Sequence, residues 1–206
     1  YLPLLAFLTF DDEAEQYVCA AILRPGNVGA TRGARGLLRR LLDMLRIAFP
    51  KARFLVRLDG GFASPEILDF LDAERGVDYV VAMAENAVLT RLAEPAMVEA
   101  RARSEASGQT EHVYTEARYA AKTWPHTRRV VIKAEVVRLA GREPRDNARF
   151  VITNRRQSPC FLYEEIYCAR GDIENRIKEL HDGLQIGRTS CCRFWANQFR
   201  VLLTAA

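Results

Sequence analysis

The stretch RFLVRLDGGFASPEILDFLDAERGVDYVVA, residues 53–82, decides the fold class of this chain. It opens with a short β run that ends at Asp59, and two glycines follow. Ser64-Pro65-Glu66 has the composition of a helix start, with proline at the first helical position. Residues 77–82 form a second β run. A strand, a helix and a second strand in this order predict an α/β fold.

The flanking sequence extends this pattern on both sides. Residues 2–10 and 16–23 are apolar runs joined by an acidic turn, which predicts a β-hairpin. Residues 34–49 and 89–107 have helical patterns, and the periodicity then changes to several β-like runs between residues 111 and 154. Residues 160–181 and about 190–203 return to helix, and Trp195 and Phe199, on the apolar face of the last helix, are interpreted as core residues. We expect a bend near Gly171, because glycine weakens a helix interior.

Composition narrows the class of protein. The chain has 206 residues, of which 49% are hydrophobic and 27% charged, so it has enough apolar surface for a core. No apolar run approaches the roughly 18 residues of a membrane helix, and the opening stretch lacks signal-peptide features, which predicts a cytosolic protein. The net charge is +4, mostly from arginine, which suits phosphate without proving nucleic-acid binding. The five cysteines lack zinc-site spacing, and we expect reduced, mostly buried thiols.

Asp59 is the first candidate for chemistry. It lies at the carboxyl end of a predicted strand, where open α/β sheets place their ligands. The two glycines after it allow a bulky partner to approach the backbone closely. The alternative is that Asp59 only turns the chain ahead of the Pro65 helix.

The helix around Glu174 is the second candidate. Tyr167, Arg170, Glu174 and Lys178 are three or four residues apart, so a continuous helix would present all four on one face. The alternative is a solvated face on which Glu174 and Lys178 form an ordinary ion pair.

Three stretches together resemble a known family. RFLVRLDGGFASPEIL, FVITN and YCARGDIENRIKELHDGL are similar to the second-acid strand, the strand after the insertion and the third-acid helix of insertion-sequence DDE transposases. The resemblance is to the group with a Tyr-x-x-Arg-x-x-x-Glu signature, which Tyr167, Arg170 and Glu174 match as written. That signature continues with a lysine seven residues after the glutamate, where this chain has His181.

The resemblance implies both fold and mechanism. The fold would be ribonuclease-H-like, with a mixed sheet flanked by helices and a β-rich insertion between the second and third acids. Asp59 and Glu174 would be catalytic ligands of two Mg²⁺ ions, and Mn²⁺ would be able to substitute for Mg²⁺. Tyr167, Arg170 and Lys178 would contact DNA, and such enzymes act on transposon ends and target DNA, usually as homodimers.

The same resemblance predicts how the chain is divided. Residues 1–108 would be the first part of the core, residues 109–156 the insertion and residues 157–206 the rest of the core. The first catalytic aspartate of the family would lie upstream of Tyr1, so we expect this chain to bind DNA without cutting it. Asp11 and Asp12 are interpreted as turn residues.

Trp124 is a further candidate for contact with DNA. It would stack on an unpaired DNA base, or else pack against the strands of its own segment.

Two other functions are alternatives to an active transposase. The chain would be a catalytically dead DNA-binding remnant of a transposase, or an unrelated ribonuclease-H-like nuclease. The long insertion and the Tyr167, Arg170, Glu174 spacing favour the transposase.

Overall fold

The computed structural model describes the backbone of residues 3–11 and 13–205, and the side chains of these residues except Arg170 and Asp172. The chain forms two compact units. One comprises Tyr1–Ala34 with Ala169–Ala206, and the other comprises Arg35–Cys168. None of the helices in the described part of the chain is long and apolar enough to span a membrane.

The unit formed by Arg35–Cys168 contains the main sheet. Its elements in chain order are α1 (Ala34–Ala48), β3 (Phe54–Leu58), a 3-10 turn (Gly60–Phe62), α2 (Pro65–Ala73), β4 (Val77–Met83), α3 (Ala87–Ser107), β5 (Glu111–Tyr119), β6 (Arg128–Val137), β7 (Arg145–Thr153) and the short α4 (Pro159–Phe161). The five strands lie in the order β3-β4-β7-β6-β5. β3 and β4 are parallel, whereas β4, β7, β6 and β5 are antiparallel neighbours. The predicted α/β class is therefore confirmed, with a mixed sheet.

Helix signals in the sequence correspond to caps in the structure. Ser64 is the N-cap of α2, and its hydroxyl accepts a hydrogen bond from the backbone N–H of Ile67. Asn86 caps α3 in the same way, accepting from the N–H groups of Val88 and Leu89. Gly108 ends α3 with φ 69°, a left-handed conformation that glycine adopts without steric cost.

Both faces of the sheet are covered. Leu162 and Tyr163 pack on Val80, Val131 and Val151 on one face. Strand alternation places the fully buried residues Ile132 and Ile152 on the opposite face, where α3 contacts β5, β6 and β7. The core of this unit is therefore a sheet between α3 and the segment that follows β7.

The β-rich segment predicted for residues 109–156 contains β5, β6 and β7. These strands are not a separate sheet, because β7 pairs with β4 from Val80↔Thr153 to Met83↔Phe150. The division of the chain into a core and an inserted subdomain stays a prediction.

The other unit contains β1 (Leu4–Leu8), β2 (Tyr17–Ile22), α5 (Gly171–Asp182) and α6 (Phe194–Ala205). β1 and β2 form the predicted antiparallel hairpin. Its core consists of buried residues from β2 and its end, from α5, from the loop after α5 and from α6: Ala21, Leu23, Leu180, Ile186 and Val201. The Gln198 side chain joins α6 to β2, since its amide donates to the carbonyl of Ala21 and accepts from the N–H of Leu23.

Two predictions about burial are wrong. Trp195 and Phe199 were expected in the core, but their side chains are 78% and 62% exposed. The buried side of α6 carries Val201 and Asn197 instead, and Asn197 is satisfied because its amide bonds the backbone N–H and carbonyl of Cys191. The cysteine thiols are unpaired as expected, yet all five cysteines are exposed.

Replacement of a core isoleucine tests this packing. Ile132 is fully buried, so Ile132→Ala should lower the free energy of unfolding by about 2–5 kcal/mol, from lost burial and the cavity left behind. Ile47 is 84% exposed, so Ile47→Ala should change it by less than about 0.5 kcal/mol. Urea unfolding followed by circular dichroism measures both. Equal losses in the two variants would contradict this placement of the core.

Candidate active site

Asp59 lies directly after β3, as predicted. It is the N-cap of the 3-10 turn, and its Oδ1 accepts a hydrogen bond from the backbone N–H of Gly61 at 2.8 Å. The residue is exposed, and no ion pair to its carboxylate is found among the described residues. A solvated carboxylate without a cationic partner retains oxygen lone pairs for a metal ion.

The turn after Asp59 packs against the end of β4. A Cβ added to Gly60 would lie 3.8 Å from the carbonyl oxygen of Ala82 and 3.9 Å from the backbone nitrogen of Ala84, which are ordinary contact distances. The parallel pairing of β3 and β4 brings the carboxyl ends of both strands to one edge. Asp59 is therefore held at that edge by the strand pair and by its own turn.

The helix that carries the Tyr-x-x-Arg-x-x-x-Glu spacing changes type along its length. After a short α turn at Pro159–Phe161 it is a π-helix over Leu162–Tyr167, a 3-10 helix over Cys168–Arg170 and an α-helix from Gly171. The expectation that Tyr167, Glu174 and Lys178 share one face assumed a continuous α-helix, and that assumption is wrong. The α-helical spacing holds only within α5.

The π-helix lies on the sheet through aromatic side chains. The Tyr163 ring is 5.4 Å from that of Tyr167 and 6.0 Å from that of Tyr114, measured between centroids. Tyr163 is buried, and Tyr167 is half-buried against the same cluster. Leu162, Tyr163 and Tyr167 of the π-helix therefore all contact this cluster.

A polar network fixes the π-helix to β5 and β6. Glu164 accepts a hydrogen bond from the Tyr114 hydroxyl, and its Oε1 lies 3.3 Å from Nζ of Lys133. Lys133 also pairs with Glu135 at 3.0 Å, and Glu135 accepts from the Asn147 amide. Burial raises the pKa of Glu164, but the Tyr114 hydrogen bond and the Lys133 charge outweigh it and leave the pKa below its usual value.

Sequence reasoning missed this network. Tyr114, Lys133 and Glu164 come from three different elements, so no local spacing connects them. The only signal was strand alternation, which places Tyr114 and Lys133 opposite each other in the register of β5 and β6.

Glu174 and Lys178 lie on α5 in the other unit. Both are exposed and are one helical turn apart. Glu174 has an interaction partner, so its carboxylate is not isolated. The Arg170 side chain, which was expected to contact DNA, is outside the described residues, as is Asp12. Asp59 belongs to Arg35–Cys168 and Glu174 to the unit that contains α5, so their convergence stays a prediction.

Trp124 occupies a packed site in the loop between β5 and β6. It is 9% exposed, with the Tyr119 ring edge-on at 5.4 Å and the Arg128 guanidinium 4.8 Å from its ring centre. This arrangement matches the packed alternative. A role in stacking on a DNA base stays a prediction, and it requires the indole to leave these neighbours.

Asp69, Asp72 and His126 are another set of residues whose side-chain atoms lie close enough together to bind one metal ion. The Arg128 guanidinium already binds both carboxylates, at 2.5 Å to Asp69 and 2.8 Å to Asp72. Asp72 also accepts from the Tyr79 hydroxyl at 2.6 Å. A buried cation at the centre of the group opposes a divalent ion, so we interpret it as a structural cluster that joins α2 to β6.

Asp11 has the geometry of a turn residue. It follows β1 with φ 43°, a left-handed conformation that aspartate tolerates better than most residues. This agrees with its interpretation as part of the hairpin turn.

The chain is similar to a known protein family. The family model described as the transposase DDE domain, group 1, matches residues 1–206. A search of curated proteins finds no match.

The pKa of Glu164 predicts a pH dependence of stability. A carboxyl pKa that is lowered in the folded state stabilises the protein above its unfolded value of 4.5, and this contribution is lost as pH falls through the lowered pKa. Glu164→Gln should therefore weaken the fall in stability below pH 4.5 and lower stability at neutral pH. Glu165→Gln, at the exposed neighbouring position, should leave the profile unchanged. Urea midpoints between about pH 3 and 7 measure both; overlapping profiles for Glu164→Gln and the wild type would contradict the network.

Proposed function

Since this chain belongs to the transposase DDE domain family, we propose that it carries out metal-dependent DNA strand cleavage and strand transfer in cut-and-paste transposition of an insertion sequence. The family implies an enzyme of DNA phosphoryl transfer. The mixed α/β fold with its five-stranded sheet is consistent with a ribonuclease-H-like fold. The proposed substrates are transposon ends and target DNA in the bacterial cytoplasm, bound by a homodimer.

The observation that carries the proposal is the position of Asp59. Its carboxylate is exposed at the carboxyl end of β3, beside the end of β4, and one of its oxygens is oriented by the Gly61 N–H. A carboxylate held in this way is pre-oriented before any ligand arrives. Because the Asp59 carboxylate forms no ion pair with another described residue, it can bind a cation without first losing such a pair.

The donor type fits a divalent ion of the Mg²⁺ class. Such ions prefer carboxylate oxygens and keep several waters, which an exposed site allows. When bound, Mg²⁺ or Mn²⁺ would lower the pKa of the attacking group and neutralise charge at phosphorus. Asp59 would hold the ion from the strand side, and Glu174 from α5.

Glu174 is the second proposed ligand. It matches the final position of the Tyr-x-x-Arg-x-x-x-Glu spacing, and it is exposed on α5. We propose that it converges with Asp59 although the two lie in different units. Tyr167, Arg170 and Lys178 would position the DNA by contacts to its phosphates, which carry no sequence information.

A DNA-binding remnant without catalysis is the second candidate function. The observation that favours it is that only Asp59 and Glu174 of this chain match acids of the family signature, whereas in-line phosphoryl chemistry with two metals needs a closely fixed ligand set. Phosphate contacts from arginine and lysine do not depend on that set. DNA binding is therefore expected to outlast catalysis.

Strand cleavage tests the proposal. On DNA that carries the element's own ends, with Mg²⁺ or Mn²⁺, metal-dependent cleavage supports the proposed enzyme, and binding without cleavage supports the DNA-binding remnant. Asp59→Asn and Glu174→Gln should each lower cleavage by more than about a hundredfold, since even outer-shell changes cost 10- to 100-fold. Glu143→Gln, in the exposed turn before β7, is the matched control. An active Glu174→Gln enzyme would end the assignment.

Metal binding tests convergence without requiring catalysis. If Asp59 and Glu174 hold the same ion, Asp59→Asn and Glu174→Gln should each weaken Mn²⁺ binding to this chain, and the double variant should lose little more than either one. Additive losses would indicate two independent sites. Calorimetric titration or electron paramagnetic resonance of Mn²⁺ supplies the affinities, with Asp43→Asn on the exposed side of α1 as control.

A further inference from the structure

Arginines beside three neighbouring strands meet at the end of the main sheet opposite Asp59. β3 and β4 are parallel, so both begin at this end, and β7, which is antiparallel to β4, ends here. The arginines that precede β3 and β4 and follow β7 are named the arginine edge: Arg53, Arg75, Arg155 and Arg156. Arg53 and Asp59 flank β3, so they are roughly 20 Å apart at about 3.3 Å per residue.

One carboxylate shows that two of these arginines are close together. Oδ2 of Asp78, on β4, lies 3.7 Å from a guanidinium nitrogen of Arg53 and 3.8 Å from one of Arg155. Both distances exceed the length of a hydrogen bond, and one negative charge faces two positive charges. The Arg53 side chain is also 79% exposed, so its guanidinium is accessible to a ligand.

The other two arginines of the edge carry uncompensated charge. Arg75 and Arg156 are exposed, and neither forms an ion pair with a carboxylate in the part of the chain that the structure describes. The carbonyl of Arg75 accepts a hydrogen bond from Arg46, which fixes the backbone at this position and leaves the Arg75 guanidinium in solvent.

The balance of charge at this end of the sheet is positive. Six cations lie here: the four of the arginine edge, Arg46 on α1, and Lys51 in the turn before β3. The described acids in contact with them are three: Asp43, Glu74 and Asp78. The excess is three positive charges, in a chain whose net charge is +4. Most of the net charge is therefore concentrated at one end of the sheet, which favours a polyanion as the ligand.

The strand ends arrange these charges in a row. Neighbouring strands are about 4.8 Å apart, so the ends of β3, β4 and β7 extend over roughly 10 Å across the sheet. A DNA strand carries one phosphate per roughly 3.4 Å of helix axis, so arginines in this row would meet different phosphates of one backbone. Arginine suits this contact because its planar guanidinium donates two parallel hydrogen bonds to phosphate oxygens.

We propose that the arginine edge binds the sugar–phosphate backbone of DNA, on a stretch separate from the one at Asp59. The proposal rests on the function proposed above, since it takes DNA as the polyanion. It adds a second contact surface, built from strand ends and outside the helix that carries the family signature. Contacts to phosphate carry no sequence information, so the arginine edge raises the affinity for DNA of any sequence.

The salt dependence of DNA binding tests the arginine edge. The probe is a fluorescein-labelled duplex of about 30 base pairs and arbitrary sequence, because phosphate contacts are independent of sequence. Each lost contact should reduce the slope of log K against log salt by about 0.9 and weaken binding about eightfold at about 0.1 M salt. Arg75→Gln with Arg156→Gln should therefore lower the slope by about 2. Replacement of both by lysine, which keeps the charges, should restore most of it.

The matched control is Arg91→Gln with Arg142→Gln. These arginines, on α3 and in the turn between β6 and β7, are also exposed and form no ion pair with a described carboxylate. Their replacement changes the net charge equally, at the other end of the sheet. Circular dichroism confirms folding of each variant. If the control pair lowers the slope as much as Arg75→Gln with Arg156→Gln, or if the latter leaves it unchanged, the arginine edge is overturned.

Failure of the arginine edge and failure of the proposed function are distinguishable. Cleavage that depends on Asp59, together with DNA binding that ignores Arg75 and Arg156, overturns the arginine edge alone. DNA binding that depends on both arginines, without metal-dependent cleavage, overturns the catalytic proposal and supports the arginine edge. Absence of DNA binding in the wild type overturns both.

Discussion

The pairing of β4 with β7 is the interaction on which the main sheet depends. It joins the parallel pair that positions Asp59 to the antiparallel strands β5, β6 and β7. Side chains reinforce it at one end: the Thr153 hydroxyl donates to the carbonyl of Tyr79, and the Asn154 amide donates to the carbonyl of Val77 and accepts from the N–H of Tyr79. Since the pairing stops at Met83↔Phe150, Arg145–Arg149 has no strand neighbour on that side within the described sheet.

After β7, the helix that carries the Tyr-x-x-Arg-x-x-x-Glu spacing begins by packing on this sheet. Leu162 and Tyr163 are buried on the sheet, while Glu164 is held by Tyr114 and Lys133. The polar contacts are only partly exposed, so they are screened less than surface ion pairs and specify one orientation of the helix on the strands. Contacts with β4, β5, β6 and β7 thus hold the π-helix, which ends at Tyr167, on the sheet.

Buried charge has a structural use on the other side of the same sheet. Arg128 is almost fully buried, with its guanidinium bound by Asp69 and Asp72 of α2 and packed on the Trp124 ring. Removal of both aspartates would leave an uncompensated buried charge on Arg128, which costs more than the ion pairs themselves contribute. The arrangement accounts for the packed position of Trp124 and for the poor fit of a metal ion between these acids.

The sequence by itself determined the elements with strong local signals. Ser64-Pro65 started α2, the run ending at Leu58 placed Asp59 at a strand end, and the alternation from Glu111 to Thr153 gave three strands. Only the tertiary structure decided how these strands join one sheet, that the helix at Tyr167 is π rather than α, that Trp195 is exposed, and that Tyr114, Lys133 and Glu164 form one polar network. Periodicity reports which face of an element is apolar, whereas strand partners, helix type and the neutralisation of charges depend on contacts between residues distant in sequence.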